Sequence, residues 1–115
     1  MLIAVKINGV SVKRDTAEVE YTEVLGNSTL ITFSDGAKGR LRCSQTEFLK
    51  KYGSADELIH AHRKYVINIQ LVTERIKYCL CKMQCGKIIE LGREAHDIVI
   101  AHLAKRNNKG KTPLQ

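Results

Sequence analysis

The sequence predicts a mainly β domain, with antiparallel strands in a sandwich or in stacked sheets and two short helices. Three observations predict it. Turn-forming pairs recur roughly every ten residues, at Asn8-Gly9, Gly26-Asn27, Asp35-Gly36 and Cys85-Gly86. The segments between them are rich in β-branched residues, several with apolar and polar positions alternating. The single proline, Pro113, lies beyond every strand, so each strand can keep its hydrogen-bond ladder. At 115 residues, 43% hydrophobic and 27% charged, the chain suits one globular domain and not a disordered segment.

The elements follow in order. A strand at 2–7, Asn8-Gly9 and a strand at 10–13 read as a hairpin, because Asn-Gly accepts the two positive φ angles of a type I′ turn. Val19, Tyr21 and Val24 lie in an extended stretch that Gly26-Asn27 breaks; residues 30–33 form the next strand, and Asp35-Gly36 turns the chain. Residues 39–43 return as an alternating strand, with Arg40 and Arg42 on one face and Leu41 and Cys43 on the other. Ser44-Gln45-Thr46-Glu47 is a capping box: the Ser44 hydroxyl accepts from the Glu47 N–H, and the Glu47 carboxylate accepts from the Ser44 N–H. Phe48, Leu49 and Tyr52 give that helix an apolar face, and Gly53 stops it. Ser54-Ala55-Asp56-Glu57 repeats the capping pattern. Strands are expected at 65–67, 69–72, 76–80 and 87–91, with Tyr65, Val66, Ile67, Ile69, Val72 and Ile76 in the core and Asn68 fixing a turn. The second helix is expected at 93–105, with Ala95, Ile98, Val99, His102 and Leu103 on its buried face. Residues 1–105 thus form the domain, and 106–115 a basic, flexible tail.

A net charge of +7 favours a polyanionic partner. Lys105, Arg106, Lys109 and Lys111 cluster near the end, and Lys38, Arg40 and Arg42 form a second group. Asp15, Glu18, Glu20 and Glu23 occur with no base among them, an acidic side that would orient the domain on phosphate. No apolar run is long enough to span a membrane, and the N-terminus lacks a signal peptide's basic lead and cleavage site, so a cytoplasmic setting is expected. Cys43, Cys79, Cys81 and Cys85 are then expected as thiols. Cys79 and Cys81 on one face of a strand suit core packing better than the spacing of a zinc site. His60 and His62 would share a strand face without a third ligand nearby, so no metal and no cofactor is expected. No phosphate-cradling glycine loop, paired carboxylate or Ser/His arrangement marks an enzyme.

Periodicity alone stops at a basic β domain for DNA, RNA or an acidic protein. The stretch Ile59-His60-Ala61-His62-Arg63-Lys64-Tyr65-Val66-Ile67-Asn68 resembles the signature of the LytTR family, which usually shows His-Arg-Ser-Tyr, a hydrophobic residue, then Val-Asn. Lys64 stands here for the small polar residue and Ile67 for the valine. Val19-Glu20-Tyr21-Thr22-Glu23 with Gly26-Asn27, the Asp35-Gly36 turn and the capped helix from Ser44 fall in the family's order. Gly86 and residues 88–93 resemble its ending, with Gly92 where serine is usual. The resemblance runs from about Ala4 to Leu103. It implies an elongated stack of antiparallel sheets that puts inter-strand loops into successive major grooves. It also implies a bacterial transcription regulator, the output half of a response regulator, bound to direct repeats in promoters, with a second copy of itself as a possible neighbour on the DNA.

Asn27, Ser28 and Thr29 at a loop tip can reach base edges or phosphates, although Gly-Asn is a turn former in its own right. Arg63 matches a family arginine and has the fork that reads guanine; Lys64 beside it suits phosphate. Arg93 matches the arginine after the last strand and falls in the first turn of a helix, where free N–H groups also favour phosphate. His62 holds its loop or touches phosphate. Lys38 and Arg40 add basic contacts. The competing readings are an RNA-binding or partner-binding β module and a thiol–metal domain. Aromatic content of 5% without tryptophan argues against an RNA-stacking surface.

Overall fold

The expected turns close the hairpins. Asn8 and Gly9 have φ of 51° and 80°, both left-handed, and join β1 (Leu2–Ile7) to β2 (Val10–Asp15). Gly26, with φ of 60° at the first central position, turns β3 (Val19–Leu25) into β4 (Ser28–Phe33). β5 (Lys38–Leu41) returns beside β4. The computed structural model describes residues 1–53 and 58–110. The second capping pattern at 54–57 and the end of the basic tail from 111 lie outside them.

Ser44 caps α1 (Gln45–Phe48) as expected: Glu47 N–H donates to Ser44 Oγ at 3.1 Å, and Ser44 N–H to Glu47 Oε1 at 3.4 Å. The helix widens into one π-type turn through Gly53. β6 (Leu58–His62) and β7 (Tyr65–Asn68) complete a seven-stranded sheet in the order β2-β1-β5-β4-β3-β7-β6. β8 (Val72–Lys77), β9 (Leu80–Met83) and β10 (Ile88–Glu90) form a second sheet, ordered β10-β9-β8. α2 runs from Arg93 to Gly110. All strand pairings among the described residues are antiparallel, and the molecule measures 53 × 25 × 24 Å, the elongated stack expected.

Two cores hold it. Ile3, Val5, Val19, Ile31, Phe33, Phe48, Leu58 and Val66 fill the space between one face of the large sheet and α1. The opposite face, at Tyr21 and Ile67, packs with Cys81, Met83, Ile89, Ala95 and Val99 from the small sheet and α2. β3 and β7 therefore contribute to both cores, one set of side chains to each.

Several expectations need correction. Residues 69–71 form a one-turn 3₁₀ helix instead of a strand; Asn68 caps it by accepting the Gln70 N–H at 3.0 Å. Residues 76–80 are not one strand: Tyr78 and Cys79 turn β8 into β9, with Cys79 at φ 60°. Cys79 and Cys81 therefore share no strand face; Cys81 alone is buried in the core. Ile76 is exposed, as is Ile98, and His96 takes the place expected for Ile98 on the buried face of α2. Only α1 is short. α2 passes residue 105 because Arg106 donates to the carbonyls of Val72 and Thr73, at 2.8 and 3.0 Å, tying that turn to β8. The acidic side does not form as a set: Glu20 is buried, Glu18 pairs with Arg14 and Asp15 pairs with the N-terminus, which leaves only the half-buried Glu23 without an ion pair among the described residues.

Candidate nucleic-acid interface

The antiparallel register brings three connections to one edge of the large sheet. Leu25 faces Ser28, Thr29 faces Leu41, Glu23 faces Tyr65 and His62 faces Tyr65. The Gly26-Asn27 turn, the end of β5 at Arg42 and the Arg63-Lys64 turn therefore lie along the same side. From β5 to β6 is four strand spacings, roughly 19 Å.

Backbone bonds fix this edge. The Lys64 carbonyl accepts from Val24 N–H at 3.2 Å and from Gln45 Nε2 at 2.7 Å, so the β6–β7 turn is held from both sides while Arg63 and Lys64 stay exposed. His62 Nδ1 accepts from the Lys64 N–H at 3.5 Å, and its Nε2 lies 3.7 Å from Glu90 Oε1. Gly92 N–H donates to the Ala61 carbonyl at 2.6 Å. That bond docks the start of α2 against β6, two residues before Arg63 and one before Arg93, and both arginines are exposed. Neither forms an ion pair among the described residues.

The other expected site residues divide. Asn27 is exposed at the turn tip and Arg40 on the sheet face. Ser28 is largely buried. Thr29 is wholly buried and its hydroxyl donates to the Cys43 carbonyl at 2.8 Å, which makes it a strut under the turn. Lys38 sits at the other end of β5, donating to Thr32 Oγ1 at 3.1 Å and lying 5.9 Å from the Tyr21 ring. His60 and His62 are separated by a β-bulge and face Val66 and Tyr65, which point to opposite sides, so they do not share a face.

The sequence reading did not single out Lys6, Ser11 and Lys13, and named Arg42 only as part of a basic group. Ser11 faces Lys6, Lys6 faces Arg40, and Lys13 faces Ala4. The signal lay in β1, where inward Ile3 and Val5 put Lys6 outward, but the pairing of β1 with β5 is non-local and leaves no local mark. Arg14, by contrast, is taken into the structure: it pairs with Glu18 and Asp35 at 2.8 and 3.1 Å and lies 4.3 Å from the Phe33 ring. The bond to Glu18 holds its guanidinium above the ordinary arginine range, and the backbone N–H of Ala37 and then Arg14 hold Asp35 below the carboxylate range.

The Cys43, Cys81 and Cys85 thiols are not activated. Burial raises Cys81 to about 11; burial and then Glu20 raise Cys85; burial and then Glu47 raise Cys43. No three metal-ligating side chains converge among the described residues, and no described helix is long and apolar enough to cross a membrane.

No family model and no curated protein matches the chain. Among solved structures it is similar to a LytTr DNA-binding domain of a response regulator from Bacillus cereus, at 17% identity and a TM-score of 0.71, over 84% of this chain and 91% of that one. The stacked antiparallel sheets, the capped α1 and the long α2 are together the fold of a LytTr DNA-binding domain.

Proposed function

We propose that this chain binds double-stranded DNA by sequence and regulates transcription. One observation carries the reading: Arg63 and Arg93, exposed and without ion pairs among the described residues, leave segments joined by the Gly92–Ala61 hydrogen bond, on the edge that also bears Asn27. Two guanidinium forks on a rigid scaffold can each bridge guanine O6 and N7 in the major groove, while Lys64 meets a flanking phosphate. His62 sets the shape of the Arg63 turn. The similarity to a LytTr DNA-binding domain supports the same partner. Direct repeats in a promoter, each taking one copy of the chain, complete the reading.

Selection of bound sites from random duplex DNA, followed by binding of the winner, tests the reading. Arg63→Ala and Arg93→Ala should each cost about 1–3 kcal/mol on the selected site and relax preference at separate positions. If selection enriches no motif, or both variants bind the winner like wild type, the assignment is wrong.

A further inference from the structure

We propose that the open face of the large sheet, beside β5, is a second phosphate surface that holds the sugar–phosphate backbone of the duplex engaged at the turn-bearing edge. The proposal rests on the DNA reading above and adds a surface to it.

Two depressions of about 540 and 500 Å³ adjoin here. Lys6 and Ser11 line the first, Gly26 and Asn27 the second, and Arg40 and Arg42 line both. Together they make one continuous groove that runs from the β1–β2 hairpin to the turn tip. No acid lines either part.

The placement of charge is unusual for a sheet surface. Lys6 and Arg40 stand directly opposite each other on neighbouring strands. Like charges so placed repel and weaken the sheet. Arg42, exposed just past the end of β5, lines the same groove as a third cation. Among the described residues none of the three is ion-paired, although the chain pairs Arg14 twice on the neighbouring strand. A polyanion lying in the groove would relieve the repulsion. Its recognition would be indifferent to base sequence, because three flexible cations meet phosphate as charge and present no fixed pattern to base edges. A protein partner fits less well, since the groove holds no large exposed apolar anchor apart from Leu25 at its end.

The test compares the full chain with a Lys6→Ala, Arg40→Ala, Arg42→Ala triple variant on the selected duplex and on an unrelated one, by anisotropy across a salt series. The triple variant should lose affinity by the same factor on both duplexes. Its plot of log affinity against log salt should be shallower by about 2.7, from about 0.9 for each phosphate contact. An Arg40→Lys, Arg42→Lys variant should keep the wild-type slope. Without DNA, Lys6→Ala should melt no lower than wild type, because it removes a repulsion. A triple variant with the wild-type slope, on a duplex that wild type binds, overturns this surface and leaves the edge assignment standing. Loss confined to the selected duplex also overturns it, since the groove would then be reading bases. Wild type that binds no duplex overturns the DNA reading itself.

Discussion

At the residue scale, side chains that link distant backbone segments matter more than their size suggests. Asn68 is buried, donates to the Val19 carbonyl at 3.0 Å and accepts from Gln70 N–H. It joins β3, β7 and the 3₁₀ turn in one stroke. Asn68→Ala should cost about 2–3 kcal/mol in urea unfolding, because it leaves a buried carbonyl and an amide without partners. A loss below 0.5 kcal/mol, of the order seen for ordinary surface changes, would mean that water replaces the amide. The cysteines give a second prediction. At neutral pH a thiol with a raised pKa is almost wholly protonated, so Cys81 should resist alkylation in the folded chain and label once the chain unfolds. Cys85, exposed but raised by burial and by Glu20, should label more slowly than a cysteine in the unfolded chain. Faster labelling of Cys85 would show a thiolate that its surroundings do not favour. Asn68 as a turn residue was legible in the sequence, since asparagine bonds its own backbone two residues on. Its reach to Val19 was not, because that contact spans 49 positions.

At the element scale, local signals foretold local structure. The Asn8-Gly9 hairpin and the Ser44 capping box appear where short-range chemistry put them, whereas β5 alternates only over Lys38–Leu41 and the chain bends at Arg42 and Cys43, which were expected in the strand. The failures cluster where tertiary context decides. Residues 69–72 and 76–80 read as two strands, yet Asn68 winds residues 69–71 into a 3₁₀ turn and Cys79 accepts a left-handed φ so that β8 can pair with β9. The proposed site divides in the same way: Arg63 and Arg93 stand out through motif order, whereas Lys6 depends on a strand pairing with no local mark. Gly39 explains how β5 can present Arg40 and Arg42 at all. A Cβ there would lie 2.8 Å from Val5 Cγ2 and 3.2 Å from Phe33 Cε2, and both neighbours are fully buried. Gly39→Ala should therefore cost about 1–3 kcal/mol, as overpacking does, and lower DNA affinity only through the lost stability. A variant as stable as wild type by thermal melting would show that β1 can move away from β5.

At the scale of the whole molecule, an elongated shape with two cores raises the question of whether it unfolds as one body or two. Sheet topology argues for one. β3 gives Val19 to the first core and Tyr21 to the second, and β7 gives Val66 and Ile67 in the same way. Neither core can open without stripping one side of strands that the other needs. The Glu20 carboxylate adds a strap, accepting from Cys85 N–H at 2.7 Å across to the β9–β10 turn. Ile31→Ala strikes the first core and Met83→Ala the second, both at fully buried positions. Each should cost about 2–5 kcal/mol and shift one common transition, followed alike by far-ultraviolet circular dichroism and by tyrosine fluorescence. Two separated transitions, each sensitive to one substitution alone, would mean that the small sheet and α2 form an independent unit. Arg93 would then sit on a body able to move relative to Arg63, and the fixed spacing on which two-arginine base reading depends would be lost.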